Sequence, residues 1–236
     1  MKNLMIPALA LFLSAAAQAD DSPLWMRYCA ISPDGQTIAF SYQGDIYTVP
    51  SSGGKARQLT THPAHDTRPV WSPDGQKIAF ASNRSGNFDV FLMNKEGGEP
   101  KRLTTHSTNE YPTTFKDNGH ILYLANILQD AKDIQFPGTR FMQVYEISTD
   151  GGRPDLYSSL YMENIALSKD GSKLLYNDYK GYEDPWRKHH QSSITRDIWL
   201  CTLGKDRSFH VVYEYAETAH MIIILYGLRM GRLSIT

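Results

Sequence analysis

Ser32-Pro33-Asp34-Gly35-Gln36-Thr37-Ile38-Ala39-Phe40 returns forty residues later as Ser72-Pro73-Asp74-Gly75-Gln76-Lys77-Ile78-Ala79-Phe80. Weaker copies follow at Lys116-Asp117-Asn118-Gly119-His120-Ile121-Leu122-Tyr123 and Ser168-Lys169-Asp170-Gly171-Ser172-Lys173-Leu174-Leu175-Tyr176. The second half of the unit repeats as well. Tyr47-Thr48-Val49 leads to Gly53-Gly54 and Leu59-Thr60-Thr61-His62, as Phe91-Leu92-Met93 leads to Gly97-Gly98 and Leu103-Thr104-Thr105-His106. A repeat of this length decides the architecture before any single residue is interpreted.

Within one unit the punctuation specifies short antiparallel strands. In the second unit, Pro69 to Trp71 forms a strand that enters the turn Ser72-Pro73-Asp74-Gly75, with Pro at the second position and Gly where φ is positive. Ile78 to Ser82 is the next strand, Asn83 to Gly86 a turn, Asp89 to Met93 a third strand, Glu96-Gly97-Gly98 a turn, and Lys101 to Leu103 the outer strand. Helical periodicity is absent. Four-stranded units of this size are the signature of β-propeller blades, which cannot bury their faces without neighbours. The predicted fold is therefore all-β: four consecutive four-stranded blades over residues 20–208, part of a ring of six or seven. Units three and four carry insertions, Ile127 to Arg140 and Tyr179 to Arg196, and such insertions map to loops on one, often binding, face.

Residues 1–19 are expected to serve targeting. Lys2 is a short basic start, Leu4 to Ala16 is apolar, and Ala17-Gln18-Ala19 suits cleavage after Ala19. The expected product is periplasmic or secreted, with no membrane span once the signal is cut. The chain has 24 basic residues against 25 acidic ones, so neither a nucleic-acid nor an anionic-lipid partner is expected. Cys29 and Cys201 lie far apart on different repeats and are expected as two buried thiols rather than a disulfide.

No Gly-x-Ser-x-Gly elbow, His-Glu-x-x-His or phosphate-cradling glycine loop occurs, so no catalytic residue, metal or cofactor is assigned. His189 and His190 beside Glu183 and Asp184 suggest metal ligands at first sight. Adjacent residues of an extended segment point to opposite sides, however, which disfavours binding one ion. The fourth-unit insertion instead supplies a candidate peptide site of Trp186, Arg187, His189 and His190, since Trp and Arg are typical interface anchors. His62 and His106 hold equivalent places in two repeats, which points to a structural role at blade boundaries, and Arg84 reads as a local hydrogen-bonding residue.

Trp71 to Phe80, Ser82-Asn83-Arg84, Gly97-Gly98 and Leu103-Thr104 together resemble the WD40-like repeats of the TolB family. The arrangement of a signal, then Pro23-Leu24-Trp25-Met26-Arg27-Tyr28, then an immediate propeller, is closer to the tricorn-like proteases of bacteria. The segment Tyr179 to His190, closed by Thr195-Arg196-Asp197-Ile198-Trp199, also looks like a tricorn-family blade insertion. The resemblance covers about residues 23 to 208. It implies a propeller that admits or holds peptide ahead of a serine-protease region, no part of which is present in this sequence. The chain is then a non-catalytic peptide- or protein-binding or substrate-gating module of an exported protease. Two alternatives are a TolB-like interaction scaffold and the propeller of a prolyl-oligopeptidase relative.

After Phe209 the repeat grammar stops, and the chain runs Met221-Ile222-Ile223-Ile224-Leu225-Tyr226. Read one base earlier, Leu225 to Thr236 can spell V-W-A-A-D-G-K-A-F-Y-Y, a blade opening like Val70 to Gly75. Residues 209–236 are accordingly expected to be an atypical tail left by a frameshift.

Overall fold

The computed structural model describes residues 25–127, 142–160, 162–168, 170–178, 197–203 and, for the backbone alone, 208–213. Sixteen strands fall into four antiparallel meanders. Blade one holds β1 (Arg27–Ile31), β2 (Thr37–Tyr42), β3 (Asp45–Pro50) and β4 (Arg57–Gln58). Blade two holds β5 (Asp66–Trp71), β6 (Lys77–Ser82), β7 (Asp89–Asn94) and β8 (Gly97–Arg102). Blade three holds β9 (Glu110–Asp117), β10 (His120–Ala125), β11 (Gln143–Ser148) and β12 (Asp155–Ser158). Blade four holds β13 (Glu163–Leu167), β14 (Lys173–Asn177), β15 (Ile198–Thr202) and β16 (Ser208–Tyr213). The inner strands β1, β5, β9 and β13 stand side by side in that order, giving a propeller arrangement.

The repeated turn works as its residues dictate. Gly75 N–H donates to Ser72 O at 2.9 Å with Gly75 at φ +67°, and Gly35 and Gly171 repeat both features. The Ser72 hydroxyl donates to Asp74 and accepts from Lys77 N–H, which closes the turn from inside. The hydrogen bond from the Ser72 hydroxyl, with that from Gln76 N–H, holds the Asp74 carboxyl below the usual carboxylate range. The outer strand differs from the sequence expectation. Asn94 pairs with Gly97 across a two-residue turn, so β8 begins at Gly97 rather than Lys101. Likewise β5 starts at Asp66, ahead of the expected Pro69, because Asp66 and Thr67 pair with Ser82 and Ala81 before a bulge.

Every blade carries an aromatic cross-strand pair in register: Phe40 with Tyr47, Phe80 with Phe91, Tyr123 with Tyr145, and Tyr176 with Trp199. The first three pairs stack with ring centroids about 6 Å apart, a geometry that adds about 1 kcal/mol to simple burial. Phe80 and Phe91 pack onto Ala39 and Ile46 of the blade before, and Tyr123 and Tyr145 onto Ala79 and Val90. Tyr176 and Trp199 meet Leu122 and Val144 in the same way. The core therefore lies in the seams between blades, each a set of small or aliphatic residues receiving the aromatic pair of the next unit.

Hydrogen bonds also recur across the repeats. Thr60 and Thr104 hydroxyls accept from Ile46 and Val90 N–H, at 3.0 and 2.9 Å, tying the end of each unit to its third strand. His62 Nδ1 accepts from Ala64 N–H and His106 Nδ1 from Thr108 N–H, so both histidines fix the crossover to the next blade, as expected. The cysteine expectation holds for Cys201, which is buried, and fails for Cys29, which lies exposed on β1; no disulfide joins them. β16 continues pairing with β15 through Val211 and Tyr213, so blade-like structure extends past residue 208.

Candidate functional site

The inner strands share an irregularity that strand patterns do not show. In blades one, two and four the register slips between Arg27 and Ala30, Thr67 and Val70, and Glu163 and Ala166. Each slip contains one residue in the left-handed region: Tyr28 at φ +53°, Arg68 at +55° and Asn164 at +51°. Blade three has Pro112 at the equivalent place, and the ring of proline forbids positive φ; its register also slips here, between Pro112 and Thr114, but without a left-handed residue. A β-bulge of this kind re-aims a side chain, and holding bulky Tyr or Arg there costs on the order of 1–3 kcal/mol.

Arg68 shows what that strain achieves. Its guanidinium lies 4.4 Å from the Tyr111 ring centroid of blade three and 5.1 Å from that of Tyr28 in blade one, so one cation bridges three blades. Beside it, Arg27 stands 5.3 Å from the ring of Trp25, and Phe88 packs 5.5 Å from Tyr111. Burial raises the Tyr111 hydroxyl above its ordinary range while Arg68 pulls it back. These residues line an open cleft of about 390 Å³, with Trp25 75 % exposed and Tyr28 49 %. No salt bridge engages Arg68 among the described residues, which leaves its charge available to a ligand.

A repeated clamp ends on two residues that line the cleft, Gly44 and Phe88. Asp66 N–H donates to Gly44 O and Glu110 N–H to Phe88 O, each at 2.7 Å, joining the first residue of an inner strand to the turn or loop of the blade before. Behind the first clamp, Asp66 is wholly buried and takes Arg84 Nη2 on both carboxylate oxygens, at 3.1 and 2.9 Å. Arg84 also donates to the Ser82 hydroxyl and lies 4.8 Å from the ring centroid of Phe91. The expected local role of Arg84 is therefore right but too small, because this residue neutralises a buried charge in a seam.

The cleft supports binding by stacking and charge. Ser41 and His65 both line it, and the Ser41 hydroxyl is buried and makes no hydrogen bond among the described residues. Among the described residues no three His, Cys, Asp or Glu side chains are placed to hold a metal ion.

Trp186, Arg187, His189 and His190 lie outside the described residues, as do residues 1–24 and 214–236. The bases of the two insertions are described. One connects β10 to β11 and the other β14 to β15, which is the end of the blade where Gln43 and Phe88 edge the cleft. Asp178 and Asp197 close the base of the fourth-blade insertion through Asp197 N–H to Asp178 Oδ1, 2.9 Å, and Asp178 N–H to Asp197 O, 3.2 Å. Arg68, Tyr28 and Tyr111 were not legible as site residues. Only Arg68-Pro69, which biases Arg68 away from helix, hinted at an irregular strand.

The sequence profile of the tricorn protease N-terminal β-propeller domain matches residues 23–225. The chain belongs to that family. A crystal structure of the tricorn protease superposes with a TM-score of 0.57 over 80 % of this chain and 18 % of that one, at 20 % identity, which speaks for the fold alone. The chain is 46 % identical over 52 residues to the uncharacterized peptidase YuxL of Bacillus subtilis, covering 20 % of this chain and 8 % of that protein. It is 43 % identical over 56 residues to a TolB homolog of Chlorobium luteolum, covering 24 % of this chain and 13 % of that protein. The chain thus spans only a small part of these relatives. Among the described residues no helix is long and apolar enough to cross a membrane.

Proposed function

We propose that this family member is a non-catalytic propeller module that holds or gates peptide for an exported tricorn-like serine protease. The observation that carries the reading is Arg68, held in left-handed backbone between Tyr28 and Tyr111 at the mouth of an aromatic cleft. A planar guanidinium stacked on two rings keeps its edge N–H donors for a peptide carbonyl or carboxylate, while exposed Trp25 and Tyr28 offer apolar surface to side chains. Both insertions spring from the blade end that bears the cleft, so Trp186, Arg187, His189 and His190 are proposed to complete the peptide site. The amino-terminal signal and periplasmic or secreted location belong to the same proposal.

The test is retention of a tryptic digest of casein on the immobilised chain, read by mass spectrometry. Arg68→Asn copies the residue blade four uses at this bulge, and Asn tolerates the left-handed region, so the guanidinium is removed without new strain. Retention should fall at least tenfold in Arg68→Asn and in Trp186→Ala/Arg187→Ala, with unchanged melting and no hydrolysis above buffer. Undiminished retention in Arg68→Asn refutes the site. A stoichiometric folded partner captured in place of peptides would favour the TolB-like scaffold.

A further inference from the structure

The second clamp of the cleft differs from the first in one respect. Glu110 occupies in blade three the place of Asp66 in blade two, and it is as deeply buried, 1 % exposed against 0 %. Asp66 has Arg84. Glu110 has Asp89, the wholly buried first residue of β7, as its neighbour instead. Arg102 Nη2 stands 2.8 Å from Asp89 Oδ2, yet at an angle that leaves both Asp89 oxygens without a well-formed hydrogen bond. Glu110 Oε2 and the neighbouring Tyr123 hydroxyl are likewise buried and unpartnered. Two buried carboxyl groups and a buried phenol thus share a seam with one guanidinium, which is one charge short of neutralising both carboxylates.

Among the described residues the surroundings offer no second cation. The connection between β8 and β9 presents the Thr104 hydroxyl and the His106 backbone, β7 presents Asp89, and β10 presents Tyr123 with Tyr145 of β11 behind it. On β5, Arg68 is committed to Tyr111 and Asp66 to Arg84; His65 packs on Phe88, and β13 begins with Glu163. Burial, with Asp89 adding to it, pushes the Glu110 carboxyl up to about 7.

We infer that Glu110 and Asp89 share a proton that latches the seam between blades two and three, and that its loss loosens the cleft wall formed by Phe88 and Tyr111. The coupling is one residue long on each side, since Phe88 precedes Asp89 and Tyr111 follows Glu110. While the proton is present, the Glu110 carboxyl donates to the Asp89 carboxylate. Once it leaves to solvent, two buried anions face each other across the seam and push apart. The effect on peptide rests on the reading of the cleft given above; the latch itself does not.

Amide hydrogen exchange of residues 88–90 and 103–111 at pH 6 and pH 8, corrected for intrinsic rates, tests the latch on the full chain. Taking the opened seam to restore the ordinary value of 4.5 to Glu110, opening should be about tenfold more populated at pH 8 than at pH 6. Glu110→Gln, which stays neutral and can still donate, should abolish that difference, and Asp89→Asn serves should the first variant not fold. Equal protection at both pH values, or a pH effect that survives both substitutions, overturns the latch. Retention of the casein digest at the two pH values separates the readings. If seam protection changes but the cleft retains nothing at either pH, the latch stands and the peptide reading falls. If peptide is held equally on closed and loosened seams, the latch does not control the cleft.

Discussion

Removing the charge of Arg84 should be among the most damaging single changes in blade two. Arg84→Met keeps most of the aliphatic stem that packs near Phe80 and Phe91 but deletes both contacts to Asp66. Asp66 is wholly buried, and among the described residues its carboxylate has no other salt-bridge partner. Stranding a buried charge in this way costs about 3–5 kcal/mol. Asp66→Asn is milder: Arg84 keeps some exposure, at 13 % of its side chain, so water can serve it, and the cost is about 1–2 kcal/mol. In the double variant neither charge remains, and the loss should return to within about 1 kcal/mol of Asp66→Asn. The coupling is then at least about 2 kcal/mol, well above the scatter of independent sites. Urea unfolding followed by tryptophan fluorescence is a suitable assay, because Trp71 is buried where blade two meets blade one and donates to Ala30 O at 3.0 Å. A loss below about 1 kcal/mol for Arg84→Met, or a double variant as unstable as the sum of the singles, refutes the charge-neutralising role.

Glu110 gives the pH dependence of stability a definite sign. Its carboxyl rises from 4.5 unfolded to about 7 folded, so the unfolded chain loses this proton first and stability falls as pH climbs through that window, by on the order of 3 kcal/mol in all; urea midpoints of wild type and Glu110→Gln should converge near pH 5 and diverge by pH 8. Gly97→Ala should cost more than Gly53→Ala although both glycines have positive φ, since a Cβ at Gly97 meets Leu59 O at 3.2 Å while none is met at Gly53. The pair measured by thermal melting would show about 1 kcal/mol for the backbone alone at Gly53 and more at Gly97. Ending the chain after Leu225, where the family match stops, should leave the unfolding midpoint nearly unchanged. Ending it after residue 207 removes β16, bares the edge of β15 and should promote aggregation seen by sedimentation.

The turns and repeats were legible in sequence because they rest on short-range chemistry. Ser-Pro-Asp-Gly sets its own φ values and hydrogen bonds within a few residues, and a unit that recurs at fixed spacing announces stacking blades whatever their contacts. The candidate peptide residues of the fourth-unit insertion came from composition and loop length, with no neighbouring contact to weigh them against. Three features required the tertiary structure. The bulges at Tyr28, Arg68 and Asn164 depend on register against the next strand, and a one-residue slip leaves no mark on an alternating pattern. The stacking of Arg68 between Tyr28 and Tyr111 joins residues forty and more positions apart, on three blades. The same holds for the two clamps, where Asp66 and Glu110 look equivalent in the repeat but meet opposite partners, Arg84 in one seam and Asp89 in the other. Sequence fixes which groups each blade carries; the potential each group feels is set by which blade stands against it.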